Sequence, residues 1–187
     1  MIAPKRCGYG LNVKAQFDLV KAQAHSTSIE AMDLALLTGQ QPADVLKRKR
    51  MDIRDGALWI VQNKTGQRLG VEVTGELAAV IARIDQRPRL AISAWLIQDE
   101  NGQRLTQYAL RSRFDKAHTL AKVDFQFRDI RAKAATDTGD LAHSQTLLGH
   151  KNREMTEQLC QGANRRTGET FTMSGTSRFI RTPHQQQ

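Results

Sequence analysis

The chain has 187 residues, of which 40% are hydrophobic and 25% charged, and this composition predicts one folded domain with a sizeable core. No apolar run approaches the length that spans a membrane, and the opening MIAPKRCGYG lacks the pattern of a signal peptide. The formal net charge of +9 favours a polyanionic partner, most often nucleic acid, over a basic surface that serves only solubility.

The first quarter of the chain alternates helical patterns with turn signals. Residues 1–14 show no hydrophobic period, and AQFDLVKAQ then predicts a first helix. The T-x-x-E spacing of Thr27 and Glu30 predicts a capping box ahead of a second helix, IEAMDLALL. We expect Gly39 to end that helix and Pro42 to open a short third one. The apolar positions expected to face the core are Phe17, Val20, Ile29, Met32 and Leu36.

The hydrophobic period changes after residue 56. ALWIVQ and QRLGVEVT, separated by NKTG, predict an antiparallel β-hairpin, and GELAAVIARI returns to helical spacing. LAISAWLIQDENGQRL predicts a short extended segment and a turn at DENG, followed by a long helix that Thr106 caps. The whole pattern is typical of a mainly α fold with a small antiparallel β-sheet (α+β). The expected core positions are Leu69, Val71 and Val73 on the hairpin and Leu110, Phe114 and Leu120 on the helix.

The stretch VDFQFRDIRAKAATDTGDLAHSQTLLGHKNREMTEQL, residues 123–159, carries the strongest chemical signal. Arg128 and Arg131 are three residues apart on a predicted helix, so both project from one face. A second helical run ends in LLGH with His150 at the turn, and a further helix begins near Arg153. Two guanidiniums and an imidazole suit a phosphate-like anion. The alternatives are a surface charge pair for the arginines and a helix-terminal cap for the histidine.

The order and spacing of these residues resemble the catalytic domain of the tyrosine recombinases, the phage integrase family. In that family an H-x-x-R motif is followed by L-G-H, and a nucleophilic tyrosine follows the last histidine by about nine residues. Upstream, LLTGQQPADVL resembles the family's T-G-x-R-x-x-[ED] turn, with Gln41 at the arginine position, and Lys64 in QNKTGQRLGVEV matches the lysine of the hairpin. The resemblance covers about residues 15–158 and implies the family's catalytic fold, wrapped on one side of DNA.

The resemblance also implies a set of site residues, with two departures. Gln41 carries no charge where the family has its first arginine, and Leu159 stands at the position of the tyrosine. In the family, the tyrosine hydroxyl attacks a DNA phosphodiester without metal or cofactor, arginines stabilise the charge, and lysine protonates the leaving oxygen. Loss of one such donor costs about 10²-fold or more, whereas leucine has no atom that can form the linkage, so this copy is predicted to be inactive. The retained or near-retained catalytic positions are Lys64, Arg128, Arg131 and His150.

The segment after Gln158 is rich in Thr, Ser, Gly and Arg without an apolar period, which predicts a basic, disordered tail over 159–187. A second hypothesis is a shifted reading frame. One permitted back-translation of Leu159–Thr170, read one base later, gives Tyr-Val-Lys-Gly-Arg-Ile-Gly-Glu-Arg-Val. That sequence resembles phage integrases around their nucleophile, with the tyrosine at the expected place. Because synonymous codons allow freedom, coincidence is the alternative.

Several functions stay open at this point. The first is a DNA-binding integrase remnant that no longer cleaves. The others are a non-enzymatic regulator or dominant-negative partner of an intact integrase, a recombinase that uses another nucleophile, and a chain without function. Among alternative nucleophiles, Tyr108 is out of the motif order and Cys160 is one residue out of register. The irregular residues 1–14 are too few for the core-binding domain that family members carry, so weak and poorly specific DNA affinity is expected.

The expected partners are double-stranded DNA and an intact integrase protomer, with no membrane and no small-molecule cofactor. Cys7 and Cys160 match no metal-ligand spacing, so no metal is expected, and they favour reduced thiols in a cytoplasmic protein. The predicted organisation is an irregular segment over 1–14, a catalytic-like domain over 15–158 and the tail over 159–187.

Overall fold

The computed structural model describes residues 13–63, 65–88, 93–137, 141–149, 153–158 and 180–181. Within these ranges the fold is mainly helical with one small antiparallel sheet, which confirms the predicted fold class. The helices are α1 (Val13–Gln23), α2 (Ser26–Thr38), α3 (Pro42–Val45), α4 (Gly75–Gln86), α5 (Gln107–Ala121), α6 (Phe127–Thr136), α7 (Leu141–Leu148) and α8 (153–158). The strands are β1 (Ile53–Arg54), β2 (Ala57–Val61), β3 (Arg68–Glu72) and β4 (Ile180–Arg181).

The start of α2 differs from the predicted capping box. His25 is the N-cap, and its Nδ1 accepts a hydrogen bond from the Thr27 backbone N–H at 3.4 Å. Thr27 lies inside the helix, where its hydroxyl accepts a hydrogen bond from Arg113. The capping-box prediction was therefore wrong, because a side chain two residues earlier satisfies the helix terminus and long-range contacts engage the threonine.

Helix α2 is also more deeply buried than a surface helix with a single apolar stripe. It packs against α4, α5 and α6, and the carboxylate of Glu30 is 3.1 Å from Arg87 in the interior. Of the predicted core positions, Met32 is fully buried, whereas Ile29 and Leu36 are partly exposed. The apolar residues that fill the core from this helix are Ala31, Met32, Leu34, Ala35 and Leu37.

The end of α2 follows the sequence closely. Gly39 has a φ of 66° and is the C-cap, a left-handed conformation that glycine adopts without strain. Pro42 opens α3, where its missing N–H is not needed. Both predictions are confirmed, and together they define a tight turn between α2 and α3.

Strands β2 and β3 form the predicted hairpin, with Leu58 opposite Val71 and Ile60 opposite Leu69. All four of these residues are buried, as the alternating pattern requires. The sheet has four strands in the order β1-β2-β3-β4. β4 belongs to the predicted tail, and its pairing with β3 differs from the unpacked tail expected for those two residues. The neighbouring positions 159–179 and 182–187 lie outside the described residues.

Helix α5 begins as predicted. The Thr106 hydroxyl accepts a hydrogen bond from the Ala109 N–H at 3.1 Å, and Leu110 and Phe114 are buried. Leu120, however, is 56% exposed, so its assignment to the core was wrong. It lies six residues after Phe114, about 240° further around the helix, and Ala117 occupies the core-facing position of that turn instead.

An aromatic cluster fixes α6 against the rest of the core. Phe125, just ahead of the helix, packs edge-on against Phe17 of α1 at a centroid distance of 6.0 Å. Phe127 packs against Phe114 of α5 at 5.2 Å, and Ile130 is fully buried. These contacts set which face of α6 is turned outwards. In the described ranges, no helix has the length and apolar character needed to cross a bilayer.

Candidate anion site

Helix α6 carries both predicted arginines in different surroundings. The helix starts after Gln126, whose N–H donates to Asp129 Oδ2 at 2.8 Å. Because Ile130 faces the core, Arg128 points to the exposed side, while Arg131 lies at the edge of the core and is partly buried. The predicted helical pair is present, but its two members have different environments.

Arg131 is anchored to the end of α7. Its Nη2 donates a hydrogen bond to the backbone carbonyl of Leu148 at 2.8 Å. Burial lowers the pKa of Arg131, and the nearby carboxylate of Asp44 opposes that shift. An arginine remains protonated under these conditions. The result is a fixed positive charge next to a helix C-terminus, where cations are favourable.

The end of α7 is closed by side chains from two other segments. The last carbonyls of an α-helix have no partner within the helix. Here Leu147 O accepts from Gln40 Nε2 at 2.9 Å, and Leu148 O accepts from Gln62 Nε2 at 3.0 Å as well as from Arg131. The helix terminus is therefore attached to the α2–α3 turn, to the hairpin and to α6.

Gln40 and Gln62 form a buried pair, with 1% and 5% exposure. Gln62 Nε2 donates to Gln40 Oε1 at 2.9 Å, Gln40 Nε2 also donates to Thr38 O at 2.9 Å, and Gln62 Oε1 accepts from the Thr65 hydroxyl at 2.8 Å. Sequence reasoning missed both glutamines. The available signal was their position beside motif residues, in TGQQ and QNKTG. Buried amides need several hydrogen-bond partners, and the turn and the hairpin supply them here.

Two glycines allow these segments to approach closely. A Cβ on Gly39 would lie 2.9 Å from Leu147 Cγ, so the α2–α3 turn packs directly on α7. Gly149 has a φ of 63°, and a Cβ there would lie 2.5 Å from Gln62 Nε2. The glycine of LLGH therefore serves both the left-handed turn and the contact with the hairpin.

The α2–α3 turn also contacts the hairpin through Asp44. This carboxylate is 4% exposed, and its Oδ1 accepts the backbone N–H of Asn63 at 3.0 Å. Asp44 occupies the acidic position of the T-G-x-R-x-x-[ED] pattern. Gln41, at the arginine position, is the exposed N-cap of α3, and it makes no side-chain capping hydrogen bond.

The structure thus brings the α2–α3 turn, the hairpin and the end of α7 together around Arg131. Arg128 and Pro42 both line an open cleft of about 470 Å³ between α5 and the start of α6, which places Arg128 beside the same turn. The cleft has an aromatic floor that includes Phe114 and Phe125. The described residues contain no group of three His, Cys, Asp or Glu that could hold a metal ion. Three further predicted positions lie outside the described residues, Lys64, His150 and Leu159, so their convergence stays a prediction.

Comparison with known proteins identifies the family. The profile of the phage integrase family matches residues 12–163 of this chain. The chain belongs to the phage integrase family. Among curated proteins, it is 30% identical to prophage integrase IntE of Escherichia coli strain K12 over 165 residues, which cover 78% of this chain and 43% of that protein. It is 33% identical to the integrase of Escherichia phage HK022 over 138 residues, which cover 67% of this chain and 38% of that protein.

Solved structures of the family have the same fold. The lambda integrase catalytic core superposes with a TM-score of 0.63 and 22% identity, covering 76% of this chain and 95% of that one. A lambda integrase tetramer bound to a Holliday junction gives a TM-score of 0.73 and 21% identity, covering 88% of this chain and 50% of that one. The chain spans about two-fifths of the length of the curated integrases it matches. These similarities establish an integrase catalytic-domain fold.

Proposed function

We propose that this chain is an integrase catalytic domain that binds double-stranded DNA and does not cleave it. The observation that carries the proposal is the guanidinium of Arg131, held at the Leu148 carbonyl beside a turn whose arginine position is the neutral Gln41. The net charge of +9 supports a polyanionic partner. Several structural neighbours are integrases bound to DNA, which supports the same partner.

The absence of cleavage follows from the residue types in the sequence. Family catalysis needs positive charge around the pentacoordinate phosphate and a hydroxyl that forms the covalent bond to phosphorus. Gln41 can donate hydrogen bonds but is uncharged, so the positive charge available at this position is lost. Leu159 has no nucleophilic atom, which removes the second at its expected position.

We further propose that a single-base insertion near codon 158 placed Leu159 in a shifted frame. The support is the alternative translation, which begins with tyrosine at the expected position and continues as a family-like sequence. Sequencing the gene around this codon tests it directly. A codon set that does not give Tyr-Val-Lys-Gly-Arg one base later would overturn this proposal and leave the DNA-binding proposal standing.

A covalent-adduct assay tests the loss of cleavage. The chain would be incubated with nicked suicide duplexes that carry the core sites of related integrases, and the products separated on a denaturing gel. We expect no protein–DNA band. The control is the same chain translated from the frame-corrected gene with the Gln41→Arg change, which regains both missing groups. An adduct formed by the unaltered chain would refute the proposal.

Duplex binding tests the other half of the proposal. Because the contacts expected are between basic side chains and phosphates, affinity should fall steeply as salt rises and should vary little with DNA sequence. Fluorescence anisotropy with labelled duplexes from about 50 to 200 mM salt measures both. A chain that does not bind any duplex at the lowest salt would exclude a DNA-binding function.

A further inference from the structure

Four consecutive basic residues, Lys47-Arg48-Lys49-Arg50, follow α3, and each contacts a different partner. Lys47 reaches the hairpin, where its Nζ donates to the Asn63 side-chain oxygen at 2.6 Å. The other three are engaged elsewhere: Arg48 lies near Asp52, Arg50 pairs with Asp85, and Lys49 lies over the ring of Trp95.

The position of Lys47 connects it to the anion site. Its partner Asn63 follows Gln62, which shares the Leu148 carbonyl with Arg131. The backbone N–H of Asn63 also donates to Asp44, whose carboxylate acts on the Arg131 charge. The ammonium of Lys47 therefore lies on the same group of segments that surrounds Arg131.

The charge of Lys47 is not neutralised by the contact it makes. Asn63 is a neutral amide, and no carboxylate in the described part of the chain forms an ion pair with Lys47. An ammonium has three N–H donors, so the bond to Asn63 leaves donors for another acceptor. Asp44, the acidic group in this region, is buried and already accepts the Asn63 N–H. An exposed cation with spare donors, held at the hairpin next to Gln62, suits a phosphate oxygen.

We propose that Lys47 supplies to bound DNA phosphate the positive charge that Gln41 lacks. Gln41 and Lys47 lie just before and just after the short helix α3. Helix α3 has four residues, which rise about 6 Å along its axis, and a lysine has a long, flexible side chain that can cover much of such a separation. The proposal rests on the DNA-binding function proposed above and names one of its phosphate-contacting residues.

Salt-dependent duplex binding tests the contact. Lys47→Gln removes the charge and keeps an amide near Asn63, and Lys49→Gln is the matched control because it removes the same charge from the same run. Each phosphate contact contributes about 0.9 to the slope of log K against log salt. We expect Lys47→Gln to lower that slope by about 0.9, Lys49→Gln to change it much less, and Lys47→Arg to restore it. Equal losses for the two glutamine variants would overturn the proposal.

A double-mutant cycle tests the compensation. If Lys47 replaces the charge missing at position 41, then restoring an arginine there should make Lys47 less important. The loss of affinity caused by Lys47→Gln should therefore be smaller in the Gln41→Arg background than in the natural chain. Equal losses in both backgrounds would show independent contributions and refute compensation.

The two proposals fail in different ways. If the natural chain does not bind duplex DNA at low salt, the DNA-binding function is wrong and the role of Lys47 falls with it. If the natural chain binds with a steep salt dependence and Lys47→Gln behaves as Lys49→Gln does, only the role of Lys47 is wrong. Thermal midpoints of the variants confirm that each is folded before its binding is interpreted.

Discussion

Gln62 and Arg131 donate to the same oxygen, the carbonyl of Leu148, at 3.0 Å and 2.8 Å. One side chain comes from the end of β2 and the other from α6, so a single carbonyl at the end of α7 fixes the separation of the hairpin and the arginine. A carbonyl oxygen has two lone pairs, and both are used. Displacement of either donor should therefore change the position of the other.

We predict that Gln62→Ala destabilises the fold and weakens DNA binding. The change removes donors to Gln40 and Leu148 and leaves buried oxygens with fewer partners, which costs about 1–3 kcal/mol. For a chain of this size that corresponds to a fall in midpoint of about 2–12 °C. Gln67→Ala is the control on the same hairpin, because the hydrogen bonds of Gln67 to other described residues are made by its backbone. Equal midpoints for the two variants would contradict the role of Gln62.

Gly149→Ala and Gly66→Ala separate conformational strain from steric overlap. Both glycines have positive φ, 63° and 67°, so alanine is strained by about 1–2 kcal/mol at either position. At Gly66 nothing lies within 4 Å of the added Cβ, whereas at Gly149 the Cβ would overlap the Gln62 amide. We expect Gly149→Ala to destabilise the protein by at least about 1 kcal/mol more than Gly66→Ala. Denaturant unfolding measures both, and equal values would show that the end of α7 is not tightly held.

The two arginines of α6 should behave differently when replaced by glutamine. Arg128 is exposed, so Arg128→Gln should leave the free energy of unfolding within about 0.5 kcal/mol while lowering the salt slope of DNA binding by about 0.9. Arg131→Gln removes a partly buried group that holds the Leu148 carbonyl, so both stability and the salt slope should fall. A change in stability for Arg128→Gln as large as for Arg131→Gln would contradict the different environments of the two residues.

Local signals in the sequence predicted most of the elements that frame the site. The glycine after α2, the proline that opens α3 and the threonine that caps α5 each act through one or two neighbouring residues, so a single sequence carries the information. The hairpin was predicted in the same way, because the alternation of apolar residues along a strand is a local pattern. Thr27 was misassigned because its environment depends on Arg113, a long-range contact. Leu120 was misassigned for a local reason, since its spacing from Phe114 already turns it away from the core.

The sequence predicted the charged residues of the candidate site better than the hydrogen-bond partners that hold them. Arg131 was found from motif spacing, but its partner, a carbonyl 17 residues later, could not be read from a pattern. Gln40 and Gln62 are uncharged and look like surface residues in the sequence. Their burial depends on the approach of α7 to two other segments, which sequence spacing does not encode.

The stability of the protein should depend on pH through His25. Burial first, and then Arg113, holds the pKa of His25 below its ordinary value of 6.5, while Glu100 opposes the shift. The folded state binds this proton less readily than the unfolded state. The free energy of unfolding is therefore unaffected by His25 above pH 6.5 and falls as the pH drops below that value. His25→Asn keeps an N-cap acceptor without titration. From pH 7 to pH 5 the natural chain should therefore lose stability relative to the variant, and parallel curves would contradict this.

Truncation after Gln161 should change thermal stability little. Within the described part of the removed segment, β4 pairs with β3 over two residues, Ile180 with Val71 and Arg181 with Gly70. Each hydrogen bond in such a short ladder contributes about 1 kcal/mol, and the entropy of ordering the segment offsets part of that. We therefore expect the thermal unfolding midpoint to fall by less than about 5 °C. A larger fall on truncation would mean that the tail packs extensively, and it would count against the frameshift proposal, because a peptide read in the wrong frame has not been selected to dock on the sheet.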